Sequence, residues 1–375
     1  MNKLMSKIVS VLISIALTFG TVFGFFAPSK TKDASEYYNS EIKNVIFLIG
    51  DGMGFNHLEK TKLERNTELV MDTFEFNGQS MTRSFNKAVT DSAAGGTALS
   101  TGIRTANSAV GVNCIDKKPK YSYPKNLTEL CKGRGMMTGV VTTDETSGAT
   151  PAAFSAHSSD RYNTEDITND QFTSDIDLIW GKANGVATKS AAEENGFEYV
   201  VTYNEMMALE EGSRSFAQFT NSLWTLEQSD KNTPTLEQMA VKAVDLLDDT
   251  DEGFFLMIEG AHIDKHSHNN ESDKATEAVL EFDRTIEAML EYAEKDGETL
   301  VIVTADHETG AITLDNGSYV YTSGDHSSAN VPVLVYGSDK IVSDGIKLNN
   351  YEIPIRIAYT LGFTEKEFPM NVIVK

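Results

Sequence analysis

The chain has 375 residues, with 32 Lys+Arg against 55 Asp+Glu, a formal net charge of −23 and 40% hydrophobic residues. This composition can bury a large core, and with 27 glycines and 8 prolines it excludes collagen-like and low-complexity chains. The acidic balance argues against nucleic-acid-specific binding, because a phosphate backbone is met by Lys and Arg; small phosphorylated substrates stay open, since bound cations reverse a local potential.

Lys3 and Lys7 precede an apolar run from Ile8 to Ala27. This layout reads as a secretory signal peptide over residues 1–27, with an uncleaved membrane anchor as the alternative. The chain is therefore expected outside the cytoplasm, as a secreted, periplasmic or cell-surface protein, with membrane association only if the segment is retained. Residues 28–42 read as a polar tether. Residues 43–375 read as a single domain.

Short β-branched runs then end abruptly in polar residues. NVIFLI at 44–49 runs into Gly50-Asp51-Gly52, and 138–143 into Asp144-Glu145. The run 254–258 meets Glu259-Gly260, and 299–304 meets Ala305-Asp306-His307. Residues 331–335 read as one more strand, with Pro332 marking its start or a sheet edge. Between them, Asp91 can cap a helix beginning at Ser92. Thr233-Pro234 reads as the start of a helix carrying Leu236, Met239, Ala243 and Leu247. Ala275, Val279, Phe282, Ile286, Met289 and Ala293 form a longer stripe, with Gly297 as its stop. Residues 157–230 show weaker periodicity and read as a connecting insertion at the rim of the site. Unalternating apolar strands separated by helices predict an α/β fold with a mostly parallel sheet, whose ligands gather outside the carboxyl ends of the strands. Cys114 and Cys131 could bridge in an oxidising compartment or stay as thiols.

Three of the seven histidines fall in the stretch His262, His266, His268, after a strand and around Asp264. Asp264 and His268 are four apart, which puts them on one side of a helical turn. Carboxylate and imidazole together suit zinc or another divalent metal. Asp306-His307 is a second such pair, and Asp51 between two glycines a third anchor. Ser92, amid small residues at a helix start, faces open backbone N–H groups and the positive end of the helix dipole. No Gly-x-Ser-x-Gly elbow supplies it with a base, so metal coordination is the other route to an activated hydroxyl.

LIGDGMG, TDSAAGGTALSTG, ATPAAFSAH, IEGAHIDKHSH, VTADHETG and GDHSSANVPV occur in this order. Together they resemble the alkaline phosphatase family, from about Lys43 to near the C-terminus. The resemblance implies a three-layer α/β/α sandwich and hydrolysis of phosphomonoesters through a phosphoserine, with two zinc ions and one magnesium. By motif, Ser92 is similar to the nucleophile. Asp51, Asp306 and His307 match the ligands of the zinc that activates it, and Asp264, His268 and His326 those of the second zinc. Asp51, Thr150 and Glu259 match the magnesium site. Arg161 matches the arginine that clamps two phosphate oxygens, and Lys265 resembles a lysine that reaches phosphate through water. The chain departs from the family at Gly148, where Asp or His is common two residues before Thr150. The third site is then completed by waters, or by nearby Glu145 or Asp144, or binds more weakly. His262 and His266 match no ligand and read as rim or surface residues; His57 and His157 read as structural. The resemblance leaves monomer and homodimer both open.

Two rival classes remain. A sulfatase would set its nucleophile in Cys/Ser-x-Pro-x-Arg, whereas Ser92 is followed by Ala93-Ala94-Gly95, and a phosphodiesterase often uses threonine. A non-catalytic metal- or phosphate-binding surface protein would be expected to lack a ligand or the nucleophile.

Overall fold

The computed structural model describes residues 33–114, 123–219, 232–248 and 250–369. The expected signal peptide and the first residues of the expected tether lie outside them. Fourteen strands are found: β1 Asn44–Gly50, β2 Phe76–Met81, β3 Met137–Glu145, β4 Leu178–Lys182, β5 Glu198–Val200, β6 Ser215–Phe219, β7 Phe254–Gly260, β8 Thr299–Thr304, β9 Glu308–Thr309, β10 Thr313–Asp315, β11 Ser318–Val320, β12 His326–Ser327, β13 Val331–Tyr336 and β14 Ile346–Asn349. Ten of them form one sheet in the order β14-β2-β13-β8-β1-β7-β3-β4-β6-β5. In it β13 runs antiparallel to both neighbours, and the other pairings are parallel. Pro332 lies at the start of β13, as one of the two expected positions required, but β13 is an interior strand.

The sheet is buried on both faces. In β1 every residue is buried, with Ile46 and Leu48 in one core cluster and Val45, Phe47 and Ile49 in another. Helices Leu236–Leu247 and Ser272–Asp296 cover the first face. Helices Ser92–Thr101, Ala149–Ser155 and Glu352–Thr360 cover the second. This is the three-layer α/β/α sandwich, and it explains why the central strands carry unbroken apolar runs. Among the described residues, no helix is long and apolar enough to cross a membrane.

Three expectations change. The helix expected from Thr233-Pro234 begins two residues later: Thr235 is the cap, its hydroxyl accepting from Gln238 N while Gln238 reaches back to Thr235 N. That reciprocal box satisfies two end N–H groups at once, which a lone Thr-Pro start cannot do. The described part of the 157–230 stretch is not a rim connection alone. It supplies β4, β5 and β6 to the sheet and a small aromatic core of Phe172, Phe197 and Phe216. Residues 33–42 are not a free tether either. Ala34, Tyr37 and Ile42 are buried, Tyr37 packs on Tyr359 with ring centroids 6.0 Å apart, and Ala34 N donates to Glu365. Cys114 and Cys131 are not joined to each other, and burial pushes the Cys131 thiol well up.

Candidate active site

Strands β8, β1, β7 and β3 are successive neighbours, so their carboxyl ends open side by side. Each delivers part of the site. Asp51 follows β1, and its backbone N–H donates to Gly260 O at the end of β7. Glu259 closes β7, and the helix His262–His268 that follows carries Asp264 and His268. Asp306 and His307 follow β8. β3 ends in Asp144-Glu145, and Gly148 caps the helix that carries Thr150. The chain must pass very close here. A Cβ at Gly52, whose φ is +74°, would stand 2.8 Å from Asp264 Cα, so only glycine fits. Short strands β9 and β12 pair antiparallel and set His326 opposite Thr309.

The imidazoles are aimed by backbone and hydroxyl partners. His268 Nδ1 lies 2.7 Å from Gly324 O, and His326 Nδ1 lies 2.9 Å from Thr90 O. A carbonyl only accepts, so Nδ1 carries the hydrogen in both rings and Nε2 is the bare nitrogen of the neutral form. The Thr309 hydroxyl donates to Asp264 Oδ1, so it accepts from His307 Nδ1, and His307 Nε2 is bare too. The Nε2 atoms of His268 and His326 face each other at 3.1 Å. His268 Nε2 is 3.3 Å from Asp264 Oδ2, and His326 Nε2 is 3.6 Å from Asp264 Oδ1. On the other side, His307 Nε2 lies 3.2 Å from Asp306 Oδ2 and 3.5 Å from Asp51 Oδ1. The ligand atoms of Asp264, His268 and His326 all fall within 4.8 Å of one another, and so do those of Asp51, Asp264 and His307. Asp264 thus stands between two clusters.

The charge pattern calls for cations. Burial first, then the carboxylates of Asp306, Asp264 and Glu259, push the Asp51 carboxyl well up. Burial and Asp144 push Glu259 up to about 8. Burial brings His307 down to about 4. Burial would raise Asp264, but the hydrogen bond from His268 and the charges of His307 and His326 hold it low. That same bond to Asp264 pushes His268 up to about 9. Protons are therefore held where Lewis acids fit. Asp51 Oδ1, Asp306 Oδ2 and Thr150 Oγ1 are buried, with no hydrogen-bond partner among the described residues. Buried polar atoms are rarely left so, and Asp51 Oδ1 and Asp306 Oδ2, both within 3.5 Å of His307 Nε2, are oxygens that a divalent ion would satisfy. The donor set of both clusters, imidazole nitrogen with carboxylate oxygen, fits divalent metal.

Ser92 opens its helix, with Asp91 Oδ1 accepting from Ala94 N at 3.0 Å as the cap. Its Oγ lies 3.1 Å from His307 Nε2 and is 5% exposed as a residue. Asp91 Oδ2 also accepts from Ser108 N and sits 3.5 Å from Arg161 Nη1. The guanidinium is thereby held beside the serine at the mouth of the site.

The expected residues Asp51, Ser92, Asp264, His268, Asp306, His307 and His326 all converge. Glu259 joins them, close enough to raise the Asp51 carboxyl, while Thr150 lies buried on the helix that follows β3. Lys265 Nζ pairs with Asp144 Oδ1. His262 and His266 are buried rather than at the surface, and His266 Nδ1 is bonded to Glu271. His57 is structural: Gly54 N donates to its Nδ1, so its Nε2–H donates to Ser267 in the site helix. Sequence reasoning passed over Thr309 and Thr142. Thr142 donates to Glu259 Oε2 while accepting from Asp144 N. Threonines at strand ends carry no signal of this kind; only the fold shows what their hydroxyls orient.

The alkaline phosphatase family matches residues 42–178 and 180–350. The chain belongs to that family. Alkaline phosphatase 4 of Bacillus subtilis (strain 168) is 34% identical over 305 residues, which are 75% of this chain and 64% of that protein. The alkaline phosphatase of Escherichia coli (strain K12) is 30% identical, over 71% of this chain and 70% of its own. Among solved structures, the alkaline phosphatase of the Antarctic bacterium TAB5 is 30% identical and has a TM-score of 0.76. The match covers 86% of this chain and 99% of that one. The chain spans a little under two thirds of the length of the first curated relatives it matches.

Proposed function

We propose that this chain hydrolyses phosphate monoesters, with Ser92 as nucleophile and inorganic phosphate as product. The observation that carries the reading is the meeting of Ser92 Oγ with His307, Asp51 and Asp306 at a helix N-terminus, with Arg161 beside it. The helix end and the guanidinium fork both favour a bound phosphoryl group. Asp51, Asp306 and His307 would hold one zinc, Asp264, His268 and His326 a second, and Asp51, Thr150 and Glu259 a magnesium. These ions would supply the positive charge that acidifies hydroxyl and water and neutralises the transferring oxygens. A variant of the TAB5 enzyme with a histidine replaced by glutamate has Mg bound in its M3 site, which supports a magnesium position in this fold.

The chain's own groups then act in order. Arg161 orients two phosphoryl oxygens. Ser92 Oγ gives its proton to solvent and forms the Oγ–P bond as the P–O bond to the leaving group breaks, and the departing alkoxide takes a proton from water to leave as the alcohol. Water next attacks the phosphoserine, the Oγ–P bond breaks, and Ser92 regains a proton. The site therefore needs positioning and charge rather than a separate base. We place this activity outside the cytoplasm, on the charged-then-apolar sequence of residues 1–27.

Acid-quenching the zinc- and magnesium-loaded protein during turnover should leave phosphate on the peptide holding residue 92. Ser92→Ala should lose that label and cut turnover by on the order of 10³-fold or more. Turnover within twofold of the parent in Ser92→Ala would contradict the reading.

A further inference from the structure

The family's common Asp or His is missing at Gly148, yet the space it would fill is taken. A Cβ at residue 148 would lie 2.6 Å from Asp144 Oδ2 and 3.0 Å from Asp144 Cγ. Gly148 has φ −53° and ψ 153°, so its backbone does not itself require glycine. Asp144 comes from the end of β3 and is fixed on two sides. Its N–H donates to Thr142 Oγ1, whose hydroxyl donates to Glu259, and its carboxylate is paired with Lys265 Nζ. Glu145, the other nearby carboxylate, turns away to Lys182 on β4 at 3.4 Å. Thr150, two residues on from Gly148 in the helix it caps, is 1% exposed and its hydroxyl has no hydrogen-bond partner among the described residues.

We propose that Asp144 replaces the missing side chain of position 148 and completes the third cation site with Asp51, Thr150 and Glu259. Lys265 holds Asp144 in place and offsets its charge when three carboxylates share the pocket. The donor set is entirely oxygen, with no imidazole, so the site takes a hard cation such as Mg²⁺ in preference to zinc. This inference rests on the phosphatase reading for the purpose of the site, but its test does not depend on turnover.

Mg²⁺ is titrated calorimetrically into zinc-loaded, substrate-free protein. Asp144→Ala should weaken Mg²⁺ binding at least tenfold, while Glu145→Ala stays within twofold of the parent. The double variant Asp144→Ala with Gly148→Asp should regain most of the loss, because the carboxylate returns from the other side of the same space. That recovery also shows that the single variant is folded. Parent-like Mg²⁺ affinity in Asp144→Ala, an equal loss in Glu145→Ala, or no recovery in the double variant would overturn the proposal. A parent that binds Mg²⁺ as expected but turns over no monoester would instead defeat the functional reading and leave Asp144 in its site.

Discussion

At Ser92 a helix end and the His307 ring act on one hydroxyl, and Thr309 sets the ring. Its hydroxyl takes the His307 Nδ1 hydrogen at 3.2 Å and donates to Asp264, so one side chain orients a residue in each of the two candidate metal clusters. Partners behind metal ligands are typically worth about 10–100-fold in affinity or activity. Thr309→Val keeps shape and loses the hydroxyl. It should weaken zinc binding by about that factor in competition with a chelating dye; unchanged zinc affinity would show that His307 and Asp264 hold themselves. At this scale the sequence was informative wherever a residue of the converging cluster sat within a few residues of a strand end. Asp51, Asp264, Asp306 and His307 stand in such places. It was uninformative for residues whose role is to orient others. Lys265 adds a partner that no motif gave: its Nζ pairs with Asp144.

At the scale of elements, the central strands were legible because burial on both faces forces unbroken apolar runs. β4, β5 and β6 were not, since strands of three to five residues with Gly181, Lys182 or Gln218 among them carry too little pattern to stand out. The same holds for residues 33–42, whose anchoring depends on Tyr359 and Glu365 at the far end of the chain. Helix Ser272–Asp296 bears a further consequence. Glu281 is buried beneath the start of helix Leu236–Leu247, accepts from Leu236 N, and is pushed up to about 7 from 4.5 by burial. Its folded-state value is raised, so the neutral acid is the form the fold favours. Its contribution is fully present below pH 4.5 and is lost as pH rises through 7. Glu281→Gln keeps an acceptor without a charge. In denaturant unfolding it should match the parent near pH 4.5 and exceed it by roughly 1–3 kcal/mol at pH 8. A stability difference that does not change with pH would mean that Glu281 ionises freely in the fold.

For the whole molecule, the excess of acid and the burial of so many carboxylates at one sheet edge make the cations part of the structure as well as of the chemistry. Asp51, Glu259, Asp264 and Asp306 are each no more than 7% exposed, and without ions burial and neighbouring carboxylates favour the protonated forms of Asp51 and Glu259. Ligands present at about a thousand times their dissociation constant stabilise by about 4 kcal/mol. Exhaustive chelation should therefore lower Tm by on the order of 10 °C, and restored zinc with magnesium should return it. An unchanged Tm after proven metal removal would argue that the carboxylates are relieved by protons alone. The central claim is that these four strand ends form a metal-dependent phosphomonoesterase. It is tested most directly by hydrolysis of a chromogenic aryl phosphate by the purified chain, before and after chelation, with the matching diester and sulfate alongside. The account predicts monoester turnover that chelation abolishes and zinc plus magnesium restore, with the diester and sulfate far slower. Turnover that survives complete metal removal, faster cleavage of the diester, or no turnover on any ester with metals demonstrably bound would contradict it.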